Sequence, residues 1–293
     1  MENELGVVIL NYNDAATTTA LLSKIKNYAL IKHIVVVDNC STDDSFNVLS
    51  KYAGTGIDVV KSDKNGGYGY GNNYGIRYLN ERYKSSHILI CNPDVDIEEN
   101  VLAKMLAIFE ENPQVAIVAP YMVYRDGRKE PRTAWRLPTK YELIFSAGLF
   151  VKRFLRPTHY PGLEQSTEKS MEVDCVTGSL LMVNTTAMLQ YGMYDENIFL
   201  FGEEITLGYK FKKAGFKTIL LPQEIFVHYH SVSINKSIRS EVTKRKRLLS
   251  SWRYVLQTYL GASGLDLLLM KVVFGISLFE IRVLTMVRRK QSH

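Results

Sequence analysis

A short apolar stretch near the start of the chain, Gly6-Val-Val-Ile-Leu-Asn-Tyr-Asn13, decides the fold. Its β-branched run predicts a strand that is buried on both faces, and the polar residues that follow predict a loop. The same pattern returns four more times, with segments of helical periodicity in between. The predicted strands are residues 6–10, 33–38, 57–60, 87–91 and 115–119, and the predicted helices are residues 17–28, 45–52, 73–83 and 101–111. Strands that alternate with helices in this way predict an α/β fold with a parallel sheet.

The character of the chain changes after this repeating part. Residues 124–172 are richer in Arg, Lys, Pro and aromatic side chains, which predicts an irregular insertion. Regular structure returns with a predicted strand over residues 175–183 and a predicted helix over residues 205–214. We therefore expect a first domain over residues 1–235 and a separate C-terminal region over residues 236–293.

The composition is that of an ordinary globular protein. Of the 293 residues, 46% are hydrophobic and 23% are charged, which argues against disorder, collagen and coiled coil. The three cysteines, Cys40, Cys91 and Cys175, lie far apart, so we expect neither a disulfide framework nor a structural zinc site. Free thiols favour a reducing cytoplasm, and the acidic N-terminus lacks the pattern of a signal peptide.

The C-terminal region combines a basic run with an interrupted apolar stretch. The net charge of the chain is +6, and residues 236–247 and 288–290 carry much of the excess. Residues 248–287 are apolar but contain charges, whereas a membrane-spanning helix needs about 20 uninterrupted apolar residues. The pattern predicts one or two helices that lie on the inner face of the plasma membrane, or that pack on the preceding domain or in a homodimer. We expect no nucleic-acid partner, because the basic run is the only feature of the sequence that favours one.

Two carboxylates follow the fourth predicted strand, in Asn92-Pro-Asp94-Val-Asp96. Carboxylates at the end of a strand suit a hard cation, because Mg²⁺ or Mn²⁺ binds one or two carboxylates together with phosphate oxygens. Acidic residues in this position are also common helix caps. His228 follows another apolar run, where it is a candidate metal ligand or phosphate contact, or a plain structural side chain.

Other polar positions also allow two interpretations. Asp38 ends the second predicted strand, where it can bind a base or ribose or can close the turn that follows. The glycine-rich residues 64–75 permit a close approach to a ligand, but they fit neither the dinucleotide fingerprint nor a Walker A motif. Glu203 and Glu204 lie among phenylalanines before a predicted helix. Apolar surroundings raise a carboxylate pKa towards that of a general base, although acids here also complement the helix dipole.

Taken in order, these segments resemble family 2 glycosyltransferases of the GT-A fold, in particular the bacterial branch with rhamnosyltransferases of surface-polysaccharide assembly. The matching segments, which cover about residues 5–235, are residues 7–13, 35–43, 65–73, 89–94, 176–182, 192–196, 199–204, 214–216 and 227–228. The resemblance implies a Rossmann-like, mixed and mostly parallel sheet flanked by helices, followed by a C-terminal helical extension.

The resemblance also implies an activity. It implies inverting transfer of a sugar from a nucleotide-diphosphate donor, a UDP- or dTDP-sugar, to a saccharide or lipid-linked saccharide acceptor in cell-surface polysaccharide synthesis. By family position, the catalytic base is Glu204, and Mn²⁺ or Mg²⁺ is held by Asp94, Asp96 and His228. The residues implied at the nucleotide are Asn11, Asn13, Asp38, Asn65, Gly67 and Asn72.

Two positions depart from the family pattern. The family commonly has Glu-Asp where this chain has Glu203-Glu204, which moves the basic carboxylate by about 1 Å. Asn92 stands where many relatives have the first acid of Asp-x-Asp, so Asn92 with Asp94 and Asp94 with Asp96 are alternative metal pairs.

The insertion would cover the acceptor. The candidate acceptor contacts, chosen because aromatic faces stack on sugars and Arg pairs with phosphates, are Arg132, Trp135, Arg136 and His159, together with Glu203. Two other functions compete with the transferase: a non-catalytic scaffold that binds a nucleotide sugar or polysaccharide, and a phosphotransferase of the Asp-x-Asp type. Glu98 argues against the phosphotransferase, because that chemistry prefers Thr or Val there.

Overall fold

The computed structural model describes residues 4–148, 158–229 and 240–291, with side chains to residue 283. The strands are β1 (Leu5–Asn11), β2 (Ile31–Asp38), β3 (Ile57–Lys61), β4 (His87–Cys91), β5 (Val95–Asp96), β6 (Val115–Tyr124), β7 (Ala134–Trp135), β8 (Met171–Val173), β9 (Cys175–Val176), β10 (Leu180–Asn184) and β11 (Lys217–His228). The helices are α1 (Ala15–Ile25), α2 (Ser45–Ser50), α3 (Tyr68–Tyr83), α4 (Glu99–Glu111), α5 (Lys140–Ser146), α6 (Thr185–Ala187), α7 (Glu203–Lys213), α8 (Glu241–Thr258) and α9 (Gly264–Gln291).

Nine strands of the described residues form one mixed sheet. Its order is β3-β2-β1-β4-β10-β6-β11-β5, and β8 pairs with β11. β10 is antiparallel to both neighbours, while β1, β2, β3 and β4 run parallel to one another. Asn11 at the end of β1 pairs with Asp38 at the end of β2, so the polar segments after the strands meet at one edge. The prediction of a mostly parallel α/β sheet is confirmed.

The central strands are apolar on both faces because helices cover both faces. Val7 and Ile9 of β1 pack in a core cluster with α1 and α4, while Val8 packs in a second cluster with α3. Successive side chains of a strand point to opposite faces, so a strand between two helical layers needs an unbroken apolar run. That requirement explains the unbroken apolar run of residues 6–10 in β1.

Helix α3 begins earlier than predicted. The sequence predicts a glycine-rich loop followed by a helix over residues 73–83, but the helix starts at Tyr68 and includes three of the glycines. A Cβ at Gly71 would lie 2.3 Å from Leu10 Cδ1, and a Cβ at Gly75 would lie 2.6 Å from Val8 Cγ1. These glycines therefore allow α3 to pack closely on β1. The early start of the helix was not predicted, because the glycine-rich segment has no regular pattern of apolar side chains.

Two further segments differ from prediction. β6 continues to Tyr124, five residues beyond the predicted strand. The predicted strand over residues 175–183 is divided into β9 and β10, with Gly178 between them. The predicted insertion contains α5, which begins with a capping box formed by Thr139 and Glu142.

The C-terminal region forms two helices that pack on the preceding domain. Leu249 and Val255 of α8 and Phe274 of α9 share a hydrophobic cluster with Ile144 of α5 and with Ile205 of α7. Within the residues described, no helix is both long and apolar enough to cross a membrane. Lys236 and Arg239 of the basic run lie outside the described residues.

Candidate active site

The fold brings Asp94 and His228 together. Asp94 follows β4 and comes directly before β5, and His228 is the last residue of β11, which pairs with β5. His228 Nε2 lies 3.2 Å from Asp94 Oδ1, although the two residues are 134 positions apart in the chain. Both side chains are largely buried, with 12% of His228 and 5% of Asp94 exposed. A carboxylate and an imidazole at this distance form part of a site that suits a divalent cation.

Asp96 makes a different set of contacts. Its carboxylate accepts hydrogen bonds from Lys24 Nζ and, at 3.1 Å, from the Tyr229 hydroxyl. Lys24 also pairs with Glu98 at 2.7 Å. Although partial burial opposes the charge on Lys24, the hydrogen bonds to Asp96 and Glu98 raise the pKa of its ammonium group. The ion pair with Lys24 thus holds Asp96 while Asp94 faces His228.

The donor set at this point is small. Among the described residues, no three His, Cys, Asp or Glu side chains are grouped so that they could hold a metal ion. Asp94 and His228 offer an oxygen and a nitrogen, so a cation there would take its other ligands from a bound phosphate or water. A cleft of about 370 Å³ opens beside them, lined by Tyr124, Arg125, Asp126, His228 and Tyr229. The positively charged guanidinium of Arg125 at this cleft suits the binding of a phosphate.

Glu203 and Glu204 form the first turn of α7. Only 3% of Glu203 is exposed, and its Oε1 has no hydrogen-bond partner among the described residues. Burial, reinforced by the charge of Glu204, raises the pKa of Glu203 to about 8. Burial also raises the pKa of Glu204, although hydrogen bonds from backbone N–H groups oppose this shift. A carboxylate with a raised pKa is a stronger proton acceptor, which is what a general base requires.

The surroundings of Glu204 are aromatic. Its Oε1 accepts a hydrogen bond from the Gly178 backbone N–H at 3.4 Å, in the segment between β9 and β10. The Tyr68 hydroxyl donates to the Gly178 carbonyl oxygen, and the Tyr68 ring contacts Tyr194 edge-to-face with centroids 5.6 Å apart. Burial raises the pKa of the Glu204 carboxyl, although the residue is only half-buried.

The residues predicted at a nucleotide lie together but are bonded to one another. Asn11 is fully buried; its side-chain amide nitrogen donates to Ser41 Oγ at 3.2 Å, and its Oδ1 accepts from the Thr18 hydroxyl at 2.9 Å. Both Asp38 carboxylate oxygens accept from the Ser41 backbone N–H, so Asp38 closes the turn after β2. Asn13, with a φ of +53°, exchanges hydrogen bonds with Thr42. These residues shape the edge of the sheet through their own network.

Asn65, Gly67 and Asn72 lie beside this network. Asn65 Oδ1 accepts from the Asn39 amide at 3.2 Å and from the Gly67 N–H at 3.2 Å. A Cβ at Gly67, whose φ is +93°, would lie 2.1 Å from the Phe199 carbonyl oxygen, so this glycine allows the segment before α7 to approach. Asn72 is buried within α3 and donates to the Tyr68 carbonyl oxygen at 3.0 Å.

Four of the five predicted acceptor contacts lie in the insertion, and the fifth, Glu203, lies in α7. Trp135 is partly exposed on β7, which pairs with β9, and it forms an isolated bridge with His159. Arg136 forms two hydrogen bonds with the Glu142 carboxylate, and these hold the pKa of Glu142 at about 2. Arg136 therefore holds the start of α5 in place, whereas Trp135 is partly exposed.

Six residues that contact the predicted site residues or line the cleft were not named in the sequence analysis. They are Lys24, Asn39, Ser41, Tyr68, Arg125 and Tyr194. Asn39 and Ser41 lie within a segment that the sequence singled out, so that segment was the available signal. Tyr68 and Tyr194 likewise lie within the matching segments 65–73 and 192–196. Lys24 is far from Asp96 in the chain, and no local pattern indicates it.

Comparison with known proteins identifies the family. A model of glycosyl transferase family 2 matches residues 6–168, which is more than half of the chain. The chain belongs to glycosyl transferase family 2. The family resemblance predicted from the sequence motifs, and the expectation of a glycosyltransferase, are confirmed at this level.

Three named relatives have glycosyltransferase names. The chain is 28% identical over 213 residues to the low-salt glycan biosynthesis hexosyltransferase Agl10 of Haloferax volcanii, covering 73% of this chain but only 63% of that relative. It is 24% identical over 227 residues to the rhamnosyltransferase WbbL of Escherichia coli, covering 76% and 81% of the two chains. It is 25% identical over 219 residues to an N-acetylglucosaminyl-diphospho-decaprenol L-rhamnosyltransferase of Mycobacterium tuberculosis, covering 71% and 70%.

Solved structures share the fold at low sequence identity. The chain is similar to GalNAc-T7, solved with UDP, GalNAc and Mn²⁺, with a TM-score of 0.65, 14% identity and coverage of 88% of this chain and 49% of that one. It is also similar to the mannosyltransferase PcManGT of Pyrobaculum calidifontis, solved with GDP-Man and Mn²⁺, with a TM-score of 0.58, 15% identity and coverage of 94% and 69%. These likenesses confirm the predicted GT-A fold.

Proposed function

We propose that this chain transfers a sugar, with inversion, from a nucleotide-diphosphate donor to a saccharide or lipid-linked saccharide acceptor in cell-surface polysaccharide synthesis. The observation that carries the proposal is the half-buried Glu204 carboxylate at the N-terminus of α7, which accepts a hydrogen bond from the Gly178 N–H and whose pKa is raised by burial. Glu204 accepts the proton of the acceptor hydroxyl as that oxygen forms a bond to the anomeric carbon. The bond between this carbon and the diphosphate oxygen breaks, and the nucleoside diphosphate departs.

Asp94 and His228 would hold a divalent cation, Mn²⁺ or Mg²⁺. Their distance of 3.2 Å and the adjacent cleft with Arg125 support a cation that also binds the donor diphosphate. When bound, the cation supplies charge that stabilises the departing diphosphate. Asp96 would contribute through a water molecule or after release of Lys24, to which it is paired. The Mn²⁺ in the structures of GalNAc-T7 and PcManGT supports this assignment.

The nucleotide would lie at the edge formed by the ends of β1 and β2, over the network of Asn11, Asn13 and Asp38. Ligands of open α/β sheets bind at this edge, which supports the assignment. Asn65 and Gly67 shape the adjoining wall. The donor is proposed to be a UDP- or dTDP-sugar, in line with the rhamnosyltransferase names of two relatives.

The acceptor would meet the insertion, where the partly exposed Trp135 would stack on a sugar. A lipid-linked acceptor is supported by the name of the mycobacterial relative, which specifies a diphospho-decaprenol. Such an acceptor would bring the protein to the cytoplasmic face of the plasma membrane as a peripheral protein.

Screening of nucleotide sugars by thermal shift, with and without Mn²⁺, identifies the donor. With that donor, we expect Glu204→Gln to lower kcat at least about a hundredfold while donor affinity is unchanged, because general-base catalysis contributes about 10²–10⁴. Glu204→Asp keeps a carboxylate and should lose less. The acid limb of the wild-type rate should lie above pH 4.5, the ordinary Glu value, since the pKa of Glu204 is raised.

We expect the two aspartate variants to lose Mn²⁺ binding to different degrees. Asp94→Asn should abolish the Mn²⁺-dependent thermal shift, and Asp96→Asn should reduce it only partly, because Lys24 already engages Asp96.

Full turnover by Glu204→Gln would overturn the role of the base. Donor binding by the wild type without transfer to any acceptor would instead support the non-catalytic scaffold, which the glutamate in place of the family's aspartate favours.

A further inference from the structure

Helix α9 has an apolar face that the rest of the described chain leaves exposed. The side chains are Leu265, Leu268, Val272, Ile276, Phe279 and Val283, with exposed fractions from 41% at Val283 to 80% at Leu265. They recur every three or four residues, so they share one side of the helix over about 27 Å at a rise of about 1.5 Å per residue. An exposed apolar patch of this size marks an interaction surface.

The charged residues of α9 are sorted by sign. Lys271 and Arg282 are exposed, whereas Asp266 and Glu280 are buried. Asp266 pairs with Lys140 of α5 at 2.6 Å, and Glu280 interacts electrostatically with Arg245 of α8. Among the described side chains of α9, the exposed charges are therefore all basic, and they border the apolar face.

Charge complementarity selects the partner. Two copies of this face would bring Lys271 and Arg282 towards the same residues of the other copy, with no exposed acid of α9 to pair with them. Anionic headgroups would pair with these cations while the apolar side chains enter the acyl boundary. We infer that the exposed face of α9 binds the surface of an anionic lipid bilayer, with the helix lying in the plane of the interface.

The binding face is firmly attached to the rest of the molecule. Arg245 Nε donates to Ser277 Oγ at 2.7 Å, and the same guanidinium donates to the Ala147 carbonyl oxygen after α5. With the Lys140–Asp266 ion pair, these contacts tie α9 to the insertion proposed to cover the acceptor. A bilayer bound to α9 would thus orient the whole domain, and this inference is independent of the reaction chemistry.

The test is flotation of the full chain with vesicles of phosphatidylcholine, with and without phosphatidylglycerol. The wild type should float with the anionic vesicles and less so at high salt, because salt screens the charges. The variant Leu268→Ser/Ile276→Ser/Phe279→Ser should lose about tenfold or more of its bound fraction, since each apolar side chain adds to the burial. Lys271→Gln/Arg282→Gln should lose the preference for phosphatidylglycerol.

A matched pair of variants separates this face from general surface hydrophobicity. Ile276 and Ile225 are exposed to similar degrees, 49% and 47%, and Ile225 lies on β11. Ile276→Ser should weaken flotation several-fold, and Ile225→Ser should leave it unchanged. Flotation of the triple variant at the wild-type level would overturn the inference. So would a wild-type dimer, seen by sedimentation velocity, that the triple variant converts to a monomer. Donor binding, measured on the same variants, should be unaffected, so the proposed function is tested separately.

Discussion

Glu203 and Glu204 are adjacent carboxylates, and the charge of Glu204 makes ionisation of the buried Glu203 harder. The pKa of Glu203 rises to about 8 because the side chain is buried and because Glu204 carries a like charge. Backbone N–H groups at the start of α7 offset part of this cost. Both pKa values are raised, so the pair binds a proton at a higher pH than two isolated glutamates would.

This arrangement predicts how stability depends on pH. The folded-state pKa of Glu203, about 8, lies above the ordinary value of 4.5, so between these pH values the folded chain binds a proton that the unfolded chain releases. The free energy of unfolding should therefore fall as the pH rises through this window. Glu203→Gln removes the titration and should raise the free energy of unfolding by about 1–3 kcal/mol at pH 9, with little change at pH 4.

Urea unfolding at a series of pH values measures this effect. Glu81→Gln is the control, because Glu81 is an exposed glutamate on α3. The control should keep the pH slope of the wild type. If Glu203→Gln also kept that slope, the carboxylate would not be protonated in the folded protein at neutral pH.

The limits of sequence prediction are visible at single residues. The motifs and the family resemblance indicated Asp94 and His228 as candidate metal ligands. In the structure His228 Nε2 lies 3.2 Å from Asp94 Oδ1. The pairing of Asp96 with Lys24 could not be predicted, because 72 residues separate them and an isolated lysine on a helix is an ordinary surface residue. The internal bonding of Asp38 was one of its two interpretations, and only the geometry of the turn after β2 distinguishes them.

At the scale of elements, glycines in helices have opposite consequences according to what they face. In α3, a Cβ at Gly75 would lie 2.6 Å from Val8 Cγ1 and 3.0 Å from Val37 Cγ2, inside the core. In α9, Gly275 has no atom within 4 Å of the position that a Cβ would take. Alanine favours a helix over glycine by about 1 kcal/mol at both positions, so the surroundings decide the sign.

Gly75→Ala should therefore destabilise the protein by about 1–3 kcal/mol, because the core must shift to admit the methyl group. Gly275→Ala, the matched control, should stabilise it by about 0.5–1 kcal/mol. Thermal unfolding followed by circular dichroism compares the two. A stabilising Gly75→Ala would mean that α3 does not pack on β1 as closely as described.

Helix α8, together with Tyr259 directly after it, holds the segment that leads into α7. The Tyr254 and Tyr259 hydroxyls donate to Asp195 Oδ2 at 3.0 and 2.6 Å. Ser251 Oγ donates to the Leu200 carbonyl oxygen at 2.8 Å, and the Arg247 guanidinium lies 4.3 Å from the centre of the Phe199 ring. Since Glu203 and Glu204 follow this segment directly, α8 fixes the position of the carboxylates.

Removal of both hydroxyls in Tyr254→Phe/Tyr259→Phe should cost about 1–3 kcal/mol of stability, because bonds to a charged acceptor are lost. It should also lower kcat more than it raises the KM of the donor, since the segment positions Glu204. Tyr191→Phe, at an exposed ring, is the control and should change neither quantity. An unchanged kcat in the double variant would show that the segment keeps its position without α8.

At the scale of the whole molecule, the predicted boundary near residue 235 separates parts that share a core. The sequence suggested the division through a change of composition, which is a local property. Packing is not local: Leu249, Leu256 and Met270 of the C-terminal helices lie in one hydrophobic cluster with Leu143 of α5 and Ile198 before α7. Composition therefore predicted that the region is helical and basic, but not which surface its apolar side chains cover.

The shared core makes the C-terminal helices part of the folding unit. Unfolding of the full chain by urea should give one transition, reported at the same midpoint by tryptophan fluorescence and by circular dichroism. A chain that ends at residue 240 would expose the cluster around Leu143 and Ile198, and each large side chain that loses its burial costs about 1.5–3 kcal/mol. We expect this shortened chain to be insoluble or to unfold well below the full-length midpoint. The surface variant Leu268→Ser/Ile276→Ser/Phe279→Ser, which leaves the buried face of α9 intact, should keep that midpoint. Two separate transitions in the full chain, or a shortened chain as stable as the whole, would establish α8 and α9 as an independent appendage.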